Sequence, residues 1–256
     1  MIAEPVAAAI APFELTGNEV AFYEREGYLM LPGLLSEETA REVAGEVRAI
    51  MDVIGLGQSK LRQTTEYLPG SRLDSLVNDP TLRALAGQLM GGPATLYMPF
   101  TAVKSGNGGG TFHYHQDNQY TEFDGPGINF WFALGPMTPE NGCLQVAPRS
   151  HRHGTLPVLP SGDGDQHRRA EWDPADFLPL RMRPGDCVAF SRLTVHGSGP
   201  NVTPQPRVAY AVQFHRDDVN ARWAGGDWVR LKGHPRWPTA PVHAITPPQH
   251  ASLDGH

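Results

Sequence analysis

Hydrophobic residues recur with the 3.6-residue period of an α-helix in the first third of the chain. The period runs through residues 18–27 and 36–53, and Ser36 followed by two glutamates is typical of a helix N-terminus. Between these helices, residues 28–33 indicate a short strand closed by a turn. A third helix is predicted for residues 80–90, where two glycines and a proline end the pattern.

Beyond residue 93 the pattern changes to apolar, strand-like runs separated by clusters of Gly, Pro, Asn and Asp. The predicted strands are residues 94–104, 127–134, 143–146, 186–191 and 207–215. Helices followed by regularly spaced strands favour a mainly β fold with flanking α-helices, either a β-sandwich or a jelly roll.

We expect one domain spanning residues 1–256, because this length allows one sizeable core, or at most two small ones, and no internal repeat is evident. Its three predicted parts are a mainly helical N-terminal support (1–93), a jelly-roll core (94–216) and a C-terminal loop or tail (217–256).

Composition narrows the class of protein. Gly 28, Pro 24 and a charged fraction of 19% favour a turn-rich β protein, and a net charge of −6 predicts no nucleic-acid partner. No apolar run is long enough to span a membrane, and residues 1–12 contain no basic residue for a signal peptide. Cys143 and Cys187 are expected to be buried thiols. These features predict a soluble, cytoplasmic protein and leave the oligomeric state open.

Candidate metal ligands lie in two separate segments. His115-Gln116-Asp117 forms an HxD triplet, and His196 follows 79 residues after the aspartate. Two imidazoles and one carboxylate are the facial triad that holds non-heme Fe(II) and leaves positions open for chemistry. A second triplet, His215-Arg216-Asp217, has no comparable ligand downstream, and we interpret it as the polar end of a hairpin.

Arg207 follows His196 by 11 residues and opens a predicted strand. Period-two alternation places Arg207, Ala209, Ala211 and Gln213 on one face, which predicts a narrow pocket with a charged end. A planar guanidinium there suits a co-substrate carboxylate, although a surface ion pair is the simpler alternative for an arginine.

These motifs resemble the phytanoyl-CoA dioxygenase family. Besides the HxD triplet, the resemblance covers residues 22–35, the segments 141–144 and 148–151, Pro184-Gly185-Asp186, His196-Gly197-Ser198 and Arg207, with Arg149 where the family usually has glycine. The family's members are double-stranded β-helix (jelly-roll) oxygenases that use Fe(II), 2-oxoglutarate and O2.

The resemblance implies a role for each matching residue. His115, Asp117 and His196 would bind iron, Arg207 and Ser198 would hold the distal carboxylate of 2-oxoglutarate, and Trp131 would lie near this co-substrate. Related halogenases carry a small residue in place of the aspartate, so Asp117 favours hydroxylation or another oxidation. The expected reaction hydroxylates a C–H bond of a small-molecule metabolite and releases succinate and CO2.

The sequence is less informative about the substrate. Tyr97, Asn118, Gln213 and Arg62 are candidate substrate contacts, and Asn118 or Gln119 is a candidate for supporting the metal ligands.

Two other functions remain open from the residues alone. A zinc hydrolase would use His113, His115 and His196 with an open water position, but it would leave Asp117 and Arg207 without a role. The distinguishing feature is whether His113 faces the metal. A non-catalytic jelly-roll binding module would keep the fold and lack the ligands.

Overall fold

The computed structural model describes residues 8–54, 61–62, 65, 67–159, 168–223 and 225–233, with only the backbone described for 53–54 and 61–62. The helices are α1 (Gly17–Glu26), α2 (Glu37–Ile54), α3 (Arg72–Val77) and α4 (Pro80–Met90). The strands are β1 (Tyr28–Leu31), β2 (Leu61–Arg62), β3 (Ala94–Lys104), β4 (Phe112–His115), β5 (Glu122–Phe123), β6 (Gly127–Ala133), β7 (Gln145–Val146), β8 (Leu178–Pro179), β9 (Cys187–Ser191), β10 (His196–Ser198), β11 (Arg207–Arg216), β12 (Asn220–Arg222) and β13 (Val229–Arg230).

The three predicted helices are confirmed, and their ends follow from local chemistry. At the start of α1, Thr16 and Glu19 form a reciprocal capping box, and Gly27 ends the helix at φ 81°. At the start of α4, the Asp79 carboxylate accepts from two helical N–H groups beside Pro80. Within the described residues, none of the helices has the length and apolar character needed to cross a membrane.

A six-stranded antiparallel sheet in the order β1-β9-β6-β11-β3-β2 forms the main wall of the fold. Strand β11 lies near its middle and pairs with β3 and β6. Side chains on one face of this sheet, including Tyr210, Val212 and Phe214, pack with the apolar sides of α2 and α4. Alternation along β11 turns Arg207 and Gln213 to the opposite face, where the cavity lies.

A second, four-stranded sheet in the order β4-β10-β7-β8 covers that opposite face. Apolar residues of both sheets fill the space between them, among them Trp131 and Val188 of the main sheet and Val146 of the second. Two facing antiparallel sheets flanked by helices confirm the predicted jelly-roll class. Cys143 and Cys187 are buried and unpaired, as expected.

The chain after residue 216 differs from the prediction of a loop or tail. Strands β12 and β13 pair with each other, and β12 also pairs with β5 to make a small third sheet beside the cavity. Val219, Ala221 and Leu231 are buried there against Tyr97 and Phe123. Residues 234–256 lie outside the described part of the chain.

The backbone at Arg149 shows why the family usually has glycine at this position. Its backbone adopts φ 68°, a left-handed conformation that glycine enters without steric cost and that other residues disfavour. The side chain forms a double hydrogen bond to the Glu26 carboxylate, at 2.9 and 3.1 Å. This pair ties the loop to the end of α1, although the Arg149 side chain is largely exposed and the pair contributes little to stability.

Candidate metal centre

The paired strands β4 and β10 bring the predicted metal ligands together. His115 ends β4, His196 begins β10, and the two residues lie opposite each other in the antiparallel register. Asp117 begins a short 3-10 turn immediately after β4, which returns its side chain toward both imidazoles. The Asp117 Oδ1 atom lies 3.9 Å from His115 Nε2 and 3.7 Å from His196 Nε2. All three side chains are buried, and their ligand atoms lie within 4.8 Å of one another.

Hydrogen bonds from each Nδ1 to the backbone leave the Nε2 atoms of His115 and His196 available for a metal. The Nδ1 atom of His115 lies 2.6 Å from the His113 carbonyl oxygen, and that of His196 lies 3.0 Å from the Thr194 carbonyl oxygen. Because a carbonyl oxygen only accepts, each Nδ1 carries the proton and each neutral Nε2 presents a lone pair. This N,N,O donor set fits the facial triad of non-heme iron.

Two amides hold the other oxygen of Asp117. Asn129 Nδ2 and Gln213 Nε2 donate to Oδ2 at 3.3 and 3.2 Å. Arg192 Nη1 donates to Gln213 Oε1 at 2.8 Å, and because a guanidinium only donates, this bond fixes the orientation of the amide. Oδ1 is therefore the oxygen that faces the imidazoles. Asn129 was not predicted from the sequence, although it shares a face of β6 with Trp131.

The electrostatic surroundings favour the carboxylate form of Asp117. Burial by itself would raise its pKa, but the positive charges that face it (His196, Arg192 and His115, each imidazole only when it is protonated) and the hydrogen bond from Asn129 outweigh burial. The pKa of Asp117 consequently lies below its ordinary value.

Asn118 and Gln119 do not support the metal ligands in the predicted way. Asn118 Nδ2 donates to Thr155 Oγ1 at 2.8 Å and its Oδ1 accepts from the Phe123 backbone N–H at 3.1 Å, so the side chain braces the loop. Gln119 Nε2 donates to three backbone carbonyl oxygens in the segment 156–169. The 3-10 turn points both amides away from the Asp117 carboxylate.

Arg207 lies in the same cavity as the three ligands and is buried. Its contacts with the Gly142 and Ala102 carbonyl oxygens are long, at 3.3 and 3.4 Å, and its Nε has no partner in the described part of the chain. No carboxylate among the described residues forms an ion pair with it, and its guanidinium lies 5.2 Å from the centre of a Trp131 ring. Burial lowers the pKa of Arg207 to about 10. A buried cation without a counter-charge is a suitable partner for the carboxylate of a ligand. Because Arg207 is buried, the alternative of a surface ion pair is excluded.

Lys104 is a second buried basic residue beside Arg207, and no sequence pattern indicated it beyond its place at the end of β3. The two residues are direct neighbours in the register of β3 and β11. Lys104 Nζ donates to the Ser198 carbonyl oxygen at 3.1 Å and also to the Gly199 carbonyl oxygen. Burial and the charge of Arg207 lower the pKa of Lys104 to about 6, so the amine is mostly neutral at pH 7.

The cavity between the sheets has a volume of about 670 Å³, within the usual range of small-molecule sites. It is lined by the three candidate ligands, by Ser198, Trp131 and Arg207, and by Tyr97 and Gln213 from the set of candidate substrate contacts. Asn118 does not line it, because its amide is engaged in the loop contacts, and a contact between Asn118 and substrate stays a prediction. The Arg62 side chain lies outside the described part of the structure.

His113 faces away from the candidate metal. Its Nε2 accepts a hydrogen bond from Arg169 Nη2 at 2.7 Å, and it is not among the three clustered ligands. The three-histidine zinc site is therefore not formed. His215 is also structural: Gly233 N–H donates to its Nε2 at 3.1 Å, and the edges of Tyr97 and Phe123 surround its ring.

Comparisons with known proteins agree with this geometry. A sequence model of the phytanoyl-CoA dioxygenase family matches residues 23–209. A methylphosphonate hydroxylase from Gimesia maris is 34% identical over 75% of this chain and 78% of its own. Phytanoyl-CoA dioxygenase 1 of Oryza sativa subsp. japonica is 30% identical over 56% of this chain, and the match spans about half of that protein.

Solved structures show the same fold at lower identity. EvdO2 from Micromonospora carbonacea var. aurantiaca, in complex with 2-oxoglutarate, superposes with a TM-score of 0.68 at 21% identity, covering 89% of this chain and 98% of its own. The 2-oxoglutarate-dependent epimerase SnoN gives a TM-score of 0.66 at 22% identity, covering 85% and 93%. The chain belongs to the phytanoyl-CoA dioxygenase family, and it is a 2-oxoglutarate-dependent non-heme iron oxygenase.

Proposed function

We propose that this enzyme hydroxylates a C–H bond of a small-molecule metabolite, and that His115, Asp117 and His196 hold its iron. In the overall reaction, substrate, O2 and 2-oxoglutarate yield hydroxylated product, succinate and CO2, with one oxygen atom entering each organic product. The observation that carries the proposal is one cavity containing both an N,N,O ligand set and Arg207, a buried cation with no carboxylate partner among the described residues.

The side chains of the cavity have distinct tasks in this proposal. Iron with bound 2-oxoglutarate supplies the oxidising chemistry. The two Nε2 atoms and Asp117 Oδ1 bind the metal, and the amides on Oδ2 keep that oxygen oriented. Arg207 and Ser198 bind the distal carboxylate of 2-oxoglutarate against Trp131. Phe112 and Phe190 form apolar walls that limit the access of water to the metal.

Hydroxylation is favoured over halogenation because Asp117 provides a carboxylate at the position where halogenases leave space for chloride. The relative from Gimesia maris, a methylphosphonate hydroxylase, supports the same reaction and a small substrate. A volume of about 670 Å³ accommodates 2-oxoglutarate together with a substrate of modest size. We assign Tyr97 and Gln213 to the substrate side of this space, since both line it.

The decisive experiment is anaerobic. Fe(II) and then 2-oxoglutarate are added to metal-free protein, and the visible metal-to-ligand charge-transfer band is recorded. We expect a band in the wild type, a weaker band in Arg207→Ala and no band in Asp117→Ala. His113→Ala is the control, because its imidazole binds Arg169 and lies outside the ligand set. Tight zinc binding without a band in the wild type would contradict the proposal.

A further inference from the structure

Arg192 is a second buried arginine in the lining of the cavity. Its Nη1 donates to Gln213 Oε1 at 2.8 Å, and its Nη2 donates to the carbonyl oxygens of Asp117 and Thr121 at 2.9 and 3.2 Å. The guanidinium lies 4.0 Å from the centre of the Phe123 ring. These contacts hold the cation rigidly beside the candidate metal ligands.

The acceptors around Arg192 do not balance its charge. Among the described residues it forms no ion pair, its Nε has no partner, and one Nη1 hydrogen is left without an acceptor. Burial lowers the pKa of Arg192, although Asp117 and Tyr97 partly offset this effect. A neutral amide would satisfy the same carbonyl oxygens without the cost of burying a cation. The positive charge therefore indicates a negatively charged ligand.

That ligand is distinct from the distal carboxylate of 2-oxoglutarate. Arg192 is bound to Gln213, and Gln213 stands six residues from Arg207 on the same face of β11, which corresponds to roughly 20 Å along the strand. Because these two positions lie far apart on the strand, a single carboxylate bound by Arg207 does not also serve Arg192. The candidate ligand Asp117 contacts both Gln213 and Arg192, so the metal site lies at the Arg192 end of the cavity.

The net charge of the site with Fe(II) and 2-oxoglutarate bound also favours a negatively charged substrate. Asp117, Arg192 and Arg207 are the acidic and strongly basic side chains in the described lining. Iron(II) and the two arginines carry one positive charge more than Asp117 and dianionic 2-oxoglutarate neutralise. A substrate with an acidic group would remove this excess in a buried site, where it is most costly.

We propose that Arg192 binds an acidic oxyanion of the substrate, which makes the substrate a small organic phosphonate or carboxylate. This inference rests on the proposed oxygenase function. Because Arg192 contacts the Asp117 backbone at 2.9 Å, the anchored group lies close to the metal, and the C–H bond that is oxidised lies near the acid. The phosphonate and the carboxylate share this anchor and differ in charge and shape.

Binding measurements on four proteins test the proposal. Methylphosphonate, acetate and neutral acetamide are titrated calorimetrically into metal-free protein and into protein loaded anaerobically with Fe(II) and 2-oxoglutarate, with the charge-transfer band followed in parallel. The proteins are wild type, Arg192→Met, Arg192→Lys and Arg222→Met. Arg222 is the matched control, because it lies outside the cavity lining and pairs with Glu122 at the surface.

We expect the loaded wild type and Arg222→Met to bind at least one anion and to bind acetamide weakly. Arg192→Met should need more Fe(II) to develop the charge-transfer band, because its bond to Gln213 is lost. Once it is saturated with Fe(II) and 2-oxoglutarate, it should bind the anion roughly 10- to 100-fold more weakly per loaded protein, with Arg192→Lys in between. Tighter binding of methylphosphonate or of acetate identifies the class of acid.

Three results would overturn the assignment: no anion binding to the wild type, equal binding of anion and acetamide, or equal anion binding by Arg192→Met. If Arg192 only positions Gln213 and Asp117, its removal weakens the band and leaves anion affinity per loaded protein unchanged. If instead the proposed oxygenase function is wrong, the wild type shows no charge-transfer band. Calorimetry on the metal-free proteins then still compares anion binding with and without Arg192.

Discussion

The amides that hold Asp117 should control how tightly the protein binds iron. Asn129 Nδ2 and Gln213 Nε2 both donate to Oδ2, so that Oδ1 is kept toward His115 and His196. Replacing Gln213 by methionine keeps the length of the side chain and removes the donor. Without the Gln213 amide, only Asn129 restrains Oδ2, and the ligand geometry is less well organised before the metal binds.

The distances set the expected size of the effect. A hydrogen bond to a charged group contributes about 1.5–3 kcal/mol, and the bonds at 3.2 and 3.3 Å are longer than strong charge-assisted bonds. We therefore take the lower limit, about 1.5 kcal/mol, for Gln213→Met and for Asn129→Leu, which corresponds to roughly a tenfold rise in the Kd for Fe(II). The loss of Fe(II)-binding free energy in the double variant should be smaller than the sum of the losses in the two single variants, because both amides share one acceptor atom.

The assay is an anaerobic Fe(II) titration against a competing chelator, with thermal unfolding measured alongside. Asn201→Ala is the matched control, because Asn201 is a fully buried amide whose side chain binds backbone and Thr203 atoms away from the ligands. It should lower the Tm and leave the Kd for Fe(II) within about twofold. If both Gln213→Met and Asn129→Leu also leave the Kd within about twofold, the amides do not organise the metal site, and the reasoning is refuted.

Three further predictions concern Arg207, Lys104 and His113. Arg207→Lys should raise the Kd for 2-oxoglutarate roughly 10- to 100-fold in a titration of the charge-transfer band, because a point charge does not replace a planar fork; an unchanged Kd would remove Arg207 from the co-substrate site. Because the pKa of Lys104 is about 6 in the folded state and higher in the unfolded chain, the unfolded state binds more protons above pH 6, and stability should rise with pH. Urea unfolding should show a flatter rise between pH 6 and 9 in Lys104→Met, and identical slopes would contradict the lowered pKa. His113→Phe should bind Fe(II) within about twofold of the wild type in the chelator assay, and a large loss would make His113 a ligand.

Long elements with clear periodicity could be predicted, but of the short strands β1 was predicted whereas β4 and β10 were not. Strand β3 spans the predicted residues 94–104, and α4 spans the predicted 80–90, because eleven residues are enough to show alternation or a helical period. Strands β4 and β10 have only four and three residues, and each exists because the other supplies its hydrogen-bond partners. A pattern within one segment does not reveal such pairing.

The same difference separates the residues of the site that were predicted from those that were missed. His115, Asp117 and His196 belong to spaced motifs that are visible along the chain. The roles of Asn129 and Arg192 arise only after β6, β9 and β11 are placed side by side, since each contacts residues far away in the sequence. Proximity in sequence also misled the prediction for Asn118, which is adjacent to a ligand but is turned toward Thr155.

Side chains alternate between the two faces of β11, so that those on one face stabilise the fold and those on the other line the cavity. Tyr210 and Phe214 are fully buried against the helices, where truncating a large side chain costs about 3–5 kcal/mol. On the other face, Arg207 is buried without a counter-ion among the described residues, an arrangement that apolar packing would improve in the absence of ligand. The cost of this cation is offset only when a carboxylate occupies the cavity. Because neighbouring residues on one strand serve these separate purposes, Arg207→Met should preserve or raise the Tm of the ligand-free protein and abolish the additional stabilisation by 2-oxoglutarate.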